Sequence, residues 1–286
     1  MRALRRAVRW SLAALVPLEF VLVLCVVGGV RVAPGARLAV ELAVVGVVAA
    51  AGTLLLLDVR RHRRAGLRGR AALLAAVDDA VPAPVRKLTA HEFFLFTSFL
   101  RWVTRRGPHG VREGDLPVAY APGQTAVMGA FLFACVVETV ALALLVPWPV
   151  VHALTLVVDV WGCYFVVALH ASCVVRPHVI GADGSLRLRY GALVDIRVPA
   201  ERMAAVRLER TFPEGRLAAV DEQGVADMAV AAQTTVTVEL AEPVRFVRAL
   251  GRPVEARAFR FYAEDPGAVV AALRARDGST TAGRGD

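Results

Sequence analysis

Ala126–Val146 (AVMGAFLFACVVETVALALLV) and Val150–Val175 (VVHALTLVVDVWGCYFVVALHASCVV) are apolar over more than 20 residues each, and only Pro147-Trp148-Pro149 separates them. At 1.5 Å rise per residue, about 20 helical residues cross a hydrocarbon core of roughly 30 Å. The pair therefore reads as a transmembrane hairpin. Working outward toward the N-terminus, the same pattern recurs at Trp10–Val30 and Leu38–Leu57, joined by the short Arg31–Arg37 link. With 57% hydrophobic residues and a mean hydropathy of +0.55, the chain is too apolar for an ordinary soluble domain. The average conceals a division: every long apolar run lies in residues 1–176, and residues 177–286 carry alternating charge.

The net charge of +9 invites a nucleic-acid reading, but the positions of the charges argue against it. Arg2, Arg5, Arg6 and Arg9 precede the first run, and Arg60, Arg61, Arg63, Arg64, Arg68 and Arg70 follow the second. Arginines beside spans set topology and attract anionic headgroups, at about 1 kcal/mol each near the surface. The two short links hold two arginines and none, so the positive-inside rule predicts a multi-pass protein of the inner (plasma) membrane with both termini cytoplasmic. Trp10 and Trp148, at run ends, suit the aromatic belts. A cleaved signal peptide over residues 1–35 is the competing reading, but the apolar stretch exceeds the usual length and no clean small-x-small site follows. Lys87 is the only lysine among 34 Lys and Arg residues, a bias that suggests a GC-rich bacterial genome.

Each run carries one carboxylate: Glu19, Glu41, Glu138 and Asp159. A charge at the centre of a span costs about 2.5–3.5 kcal/mol on insertion scales, so each calls for an explanation. Glu138 and Asp159 are about equally deep, counted from the Pro147–Pro149 turn, and would share a proton if close. At 100° per residue His152, Asp159 and His170 fall on one face of the fourth run, within about 20° of one another. Glu41 and His152 are at similar depth and form a candidate pair. Either these groups hydrogen-bond across the bundle and fix helix register, or they relay protons or bind a cation. No broken helix or inverted repeat points to a familiar transporter.

Between the second and third runs, residues 58–125 read as a cytoplasmic loop. Thr89-Ala90-His91-Glu92 has capping-box spacing and opens an aromatic stretch from Phe93 to Trp102 that ends in Arg101, Arg105 and Arg106. This predicts an amphipathic helix in the headgroup plane; packing of its aromatic face on the downstream domain is the alternative. Pro82–Pro84 and Gly107–Gly123 read as hinge-like loops. All four cysteines lie in or beside apolar runs without C-x-x-C spacing, so neither a metal nor a disulfide framework is indicated.

From Arg176 onward the period becomes two. Leu186, Leu188 and Tyr190 alternate with Arg187 and Arg189, and Val194, Ile196 and Val198 alternate with Asp195 and Arg197, on either side of Gly191-Ala192. That predicts a hairpin with one wet face. Further strands are expected near 203–209, 216–220, 227–231, 234–240, 244–248 and 255–262. Asp265 as N-cap and Pro266 at N1 open a short helix, and residues 277–286 have the composition of a disordered tail. The expected domains are thus an N-terminal hairpin (1–57), the loop (58–125), a second hairpin (126–176), a β-domain (177–276) and the tail.

The stretch Leu186–Gly191, followed by Asp195–Pro199 and Arg202-Met203 before Val206, resembles bacterial pleckstrin-homology-like domains attached to membrane helices. Together with Glu242-Pro243 and Asp265-Pro266 it is similar to actinobacterial integral membrane proteins that carry such a domain. The resemblance covers roughly residues 176–276 plus the hairpin of the third and fourth runs and implies a cytosolic β-domain; with the four apolar runs, the expected fold is an α-helical membrane bundle of four transmembrane helices plus an antiparallel β-domain with one capping helix. It implies little about activity, since fold does not fix function. Eukaryotic relatives that hold phosphoinositides use a basic first hairpin loop, and here that loop is Gly191-Ala192.

No glycine-rich phosphate loop, nucleophile elbow or H-E-x-x-H occurs, so neither an enzyme nor a cofactor is expected. The reading is a membrane-anchored binding or scaffolding module whose β-domain meets anionic lipid headgroups or a cytosolic protein. Arg187, Arg189 and Arg197 are its candidate contacts, and homo-oligomers are allowed. The alternative is a proton- or cation-coupled transport component using the intramembrane carboxylates.

Overall fold

A computed structural model describes residues 2–248 and 253–282. The chain divides into two compact units, one of Met1–Thr89 with Cys135–Gly162 and the other of Ala90–Ala134 with Cys163–Asp286.

The first unit is helical. It contains α1 (Arg2–Val27), α2 (Pro34–Arg64), α3 (Arg70–Ala80), the start of α4 (Ala83–Val103), and parts of α5 (Pro122–Leu145) and α6 (Pro149–Val175). The four apolar runs thus become α1, α2, α5 and α6, each long and apolar enough to cross a membrane. α2 and α5 both begin at proline, whose fixed φ suits the first helical turn and whose missing N–H is not needed there. Asp58, buried near the basic end of α2, pairs with Arg5 at the start of α1. Beyond it, α3 packs on α2, with His62 Nε2 and Asp79 Oδ2 3.0 Å apart.

The second unit holds two sheets. The first has the order β1 (Leu116–Val118), β2 (His178–Ile180), β3 (Leu186–Tyr190) and β4 (Val194–Val198), all antiparallel. The second contains β5 (Met203–Thr211), β6 (Ala219–Val220), β7 (Val225–Met228), β8 (Thr234–Val247) and β9 (Pro253–Phe261), in the order β5-β8-β9-β7-β6. Leu188 and Ile196 of the first sheet, and Val236, Val238, Phe259 and Phe261 of the second, belong to one buried core. α7 (Pro266–Ala282) adds Val269, Val270 and Leu273 to it. Asp265 Oδ1 accepts the Ala268 amide at 2.9 Å, which is the expected N-cap.

Several details depart from the sequence reading. The 107–123 segment is not all loop: Leu116–Val118 pairs with β2, so a strand preceding α5 lies beside one following α6. β7 and β9 run parallel, where only antiparallel pairs were expected. The two strands expected around Pro243 are a single strand, β8, whose pairing shifts register between Glu239 and Val244, a place where a strand tolerates proline. Thr89 does not cap a helix. α4 already begins at Ala83, and Thr89 Oγ1 donates to the Val85 carbonyl one turn back. α7 continues to Ala282, through part of the expected disordered tail, and residues 283–286 lie outside those described.

Candidate functional site

The polar candidates of the long apolar helices do not converge. Glu41 accepts from Arg37 Nε at 2.7 Å, one helical turn away, in place of the expected histidine. His152 Nδ1 lies 3.4 Å from the Val146 carbonyl. Glu138 is exposed, while Asp159 keeps a buried Oδ2 without a partner. No hydrogen bond joins these two among the described residues, so the proton expected to be shared between them has no direct bridge. Glu19 Oε2 and His170 Nδ1 are likewise buried and unpartnered. The polar face of α6 is therefore a set of separate groups and not a continuous hydrogen-bonded chain.

The three hairpin arginines have three different environments. Arg197 is exposed. Arg187 Nε donates to Asp195 Oδ1 at 2.7 Å across the hairpin. Asp195 is consequently held below the ordinary carboxylate range: burial pushes it up, but the hydrogen bond and charge of Arg187 outweigh that. Arg189 is buried, at 2% exposure, and leaves the candidate surface altogether. Its Nη1 donates to the His109 carbonyl at 2.7 Å and its Nη2 to the Gly110 carbonyl at 3.3 Å. Burial, then the nearby Arg187 charge, lowers its pKa to about 10, so it remains a cation at neutral pH. Arg189 pins the 109–110 segment to the first sheet and is a structural residue.

Arg189 borders a buried polar cluster that the sequence did not announce. His178 Nδ1 accepts the Arg189 amide at 2.9 Å, and its ring stacks on Tyr120 with centroids 4.4 Å apart. Tyr120 Oη accepts the Gly191 amide at 2.7 Å, and Tyr190 Oη donates to Gln124 Oε1 at 2.8 Å. Burial lowers the His178 pKa to about 3 and raises that of Tyr190 to about 12. These groups stay neutral through the physiological range, so the cluster is a hydrogen-bonded joint with no proton to trade near pH 7. Its members come from β2, β3 and the turn after it, the approach to α5, and the first turn of α5.

Beside this joint lies a second arrangement of a different kind. Phe93, Phe94, Ser98 and Arg101 of α4, with Arg106, His109 and Arg176, line an open cavity of about 530 Å³. Arg176 Nε donates to Ser98 Oγ at 3.2 Å, and its guanidinium carbon sits 5.3 Å from the centroid of Phe94, a cation–π distance. Arg101 Nε donates to the Gly107 carbonyl at 2.7 Å. The cavity lining contains no carboxylate. Burial lowers the His109 pKa, and the charges of Arg176, Arg101, Arg189 and Arg187 lower it further. The aromatic residues of α4 divide between two faces. Phe99 makes an edge contact with Tyr164 and His91 with Phe165, while Phe93, Phe96 and Trp102 remain exposed.

Among the described residues no three His, Cys, Asp or Glu side chains are grouped to hold a metal. Chemically, the arrangement offers fixed positive charge beside aromatic surface, which suits holding an anion. No family model, curated protein or solved structure matches the chain.

Proposed function

We propose that the protein is a membrane-anchored binding or scaffolding module, held in the bilayer by α1, α2, α5 and α6 and working through its β-domain on the cytoplasmic side. One contrast carries this reading. No more than 6% of the most apolar 18-residue stretch of each long helix is buried within the protein, whereas the two sheets and α7 close a core of their own. Helices that leave Leu42, Val45, Phe133 and Leu144 uncovered need an apolar solvent, since contiguous exposed apolar surface of this extent is unstable in water. The β-domain has no such need and is the part available to a partner. The pleckstrin-homology-like resemblance and the juxtamembrane arginines agree with a working surface at the headgroups.

A second reading, proton- or cation-coupled transport, draws on the buried, unpartnered carboxylate oxygens of Glu19 and Asp159. Deleting residues 177–276, set against Glu19→Gln with Asp159→Asn, separates the two. A scaffold loses its co-purifying partners on deletion and keeps them with the carboxylate substitutions. A transporter loses ion flux in liposomes with the carboxylate substitutions. Retention of the whole chain in the soluble fraction after detergent-free lysis and alkaline washing would overturn the anchored reading itself.

A further inference from the structure

We propose that the cavity between α4 and the end of α6 is a binding site for the phosphate group of an acidic phospholipid, with Arg101, Arg106 and Arg176 as its anion contacts. This deepens the membrane-anchored reading and rests on it. Three observations support it.

The charge there is uncommitted. Among the described residues none of the three guanidinium groups has a carboxylate within 4.0 Å, in contrast to Arg187, Arg207 and Arg260, which pair with Asp195, Glu239 and Asp221. Asp195 is the acid whose field reaches Arg176, and Arg187 already holds it. Arg101 and Arg176 each use Nε on a neutral acceptor, which fixes the guanidinium plane and leaves the terminal nitrogens to bind an anion. A guanidinium presents paired N–H groups that match two phosphate oxygens.

Part of the wall is apolar. Phe93 and Phe94 line the cavity and are 62% and 44% exposed. A site for free phosphate gains nothing from exposed phenyl rings. A glycerophospholipid presents ester and acyl carbons next to its phosphate, and both halves of the site then have a counterpart. The position agrees as well: Arg176 directly follows Val175, the last residue of α6. A residue at the cytoplasmic end of a span is at phosphate level, where a cation gains most from the anionic leaflet.

The test uses the full-length protein in dodecyl maltoside, with short-chain phosphatidylglycerol, short-chain phosphatidylcholine or inorganic phosphate as probes and native mass spectrometry to count bound molecules. Wild type is expected to retain phosphatidylglycerol at least tenfold more tightly than phosphatidylcholine. R106Q/R176Q is expected to lose at least tenfold in that affinity. R106Q alone alters a surface residue with no structural bond to lose, and should lose about threefold. R207Q removes an equal charge elsewhere and should change nothing. Equal retention by wild type and R106Q/R176Q, or equal loss with R207Q, would overturn the site. Binding of inorganic phosphate as tight as that of phosphatidylglycerol would overturn the lipid and leave a soluble anion in its place. The anchored reading fails separately, on the alkaline-wash experiment above, so the two failures are distinguishable.

Discussion

Replacing Arg189 by leucine tests the distinction between the hairpin arginines most sharply. The sequence presents Arg187, Arg189 and Arg197 as equivalent outward-facing residues, yet Arg189 is buried and Arg197 is exposed. Arg189→Leu removes two charge-assisted hydrogen bonds, to the carbonyls of His109 and Gly110, and leaves both acceptors without donors. A hydrogen bond to a charged group contributes about 1.5–3 kcal/mol, and the freed carbonyls belong to exposed residues that water can reach. Relief of the guanidinium's own desolvation offsets part of this. Asp195 adds little, because at 3.9 Å from Arg189 Nε it is already held by Arg187. The net loss is about 3 kcal/mol, which for a unit of this size lowers Tm by about 6–12 °C. Arg197→Leu, an exposed substitution, should stay within about 0.5 kcal/mol. Differential scanning calorimetry of the two variants in detergent, with amide exchange over residues 109–110, measures the difference. Equal Tm values for the two variants would refute the assignment of Arg189 as the residue that secures this segment.

Three more outcomes follow from the same coordinates. His178 is buried with its folded pKa lowered to about 3, so the unfolded chain binds the extra proton between about pH 6.5 and pH 3. Stability from this group is complete above pH 6.5 and falls by about 1.4 kcal/mol per pH unit below it; His178→Asn should flatten the acid limb of a stability–pH curve by one proton. Gly191→Ala places a Cβ at φ +49° against Ser172 Oγ and should lower stability by about 2 kcal/mol or more, combining left-handed strain with a clash. Gly29→Ala, at φ +76° with nothing within 4 Å, carries only the strain, and chemical denaturation should rank the two in that order. Phe259→Ala empties the centre of the β-domain core and should cost about 3–5 kcal/mol, read as loss of the cooperative transition assigned to that domain.

The parts of this fold that were legible in the sequence are those whose signal is local. The four long helices follow their apolar runs to within a turn or so at most ends, because hydropathy over 20 residues depends on no partner. The 186–198 hairpin keeps the register that its alternation implies, Leu186 opposite Val198 and Tyr190 opposite Val194. The start of α4 was misread because Pro82 and Pro84 look like hinge residues, although proline at a helix start costs nothing. β1 offers three residues, Leu116-Pro117-Val118, too few to show a period, and its partner comes after two intervening helices. The burial of Arg189 was hidden for a related reason: its acceptors are main-chain carbonyls some 80 residues earlier, and main-chain atoms leave no mark in composition. The arginine–aromatic cavity was half visible. Phe93–Arg106 announced an amphipathic element, but nothing local said that Arg176 would join it.

The clasp between β1 and β2 bears on how such a chain is made. Leu116–Val118 leaves the ribosome before either α5 or α6, and cannot find His178–Ile180 until both have been synthesised. If those helices are threaded into a bilayer, the two strands meet only when the hairpin has gone across and come back. A single crossing leaves them on opposite sides. The first sheet then lacks its edge, and the domain built upon it stays incomplete and open to proteolysis. The pairing of three residues with three others would thus act as a proofreading step on insertion, withholding a finished β-domain from any copy in which only one helix of the pair has crossed.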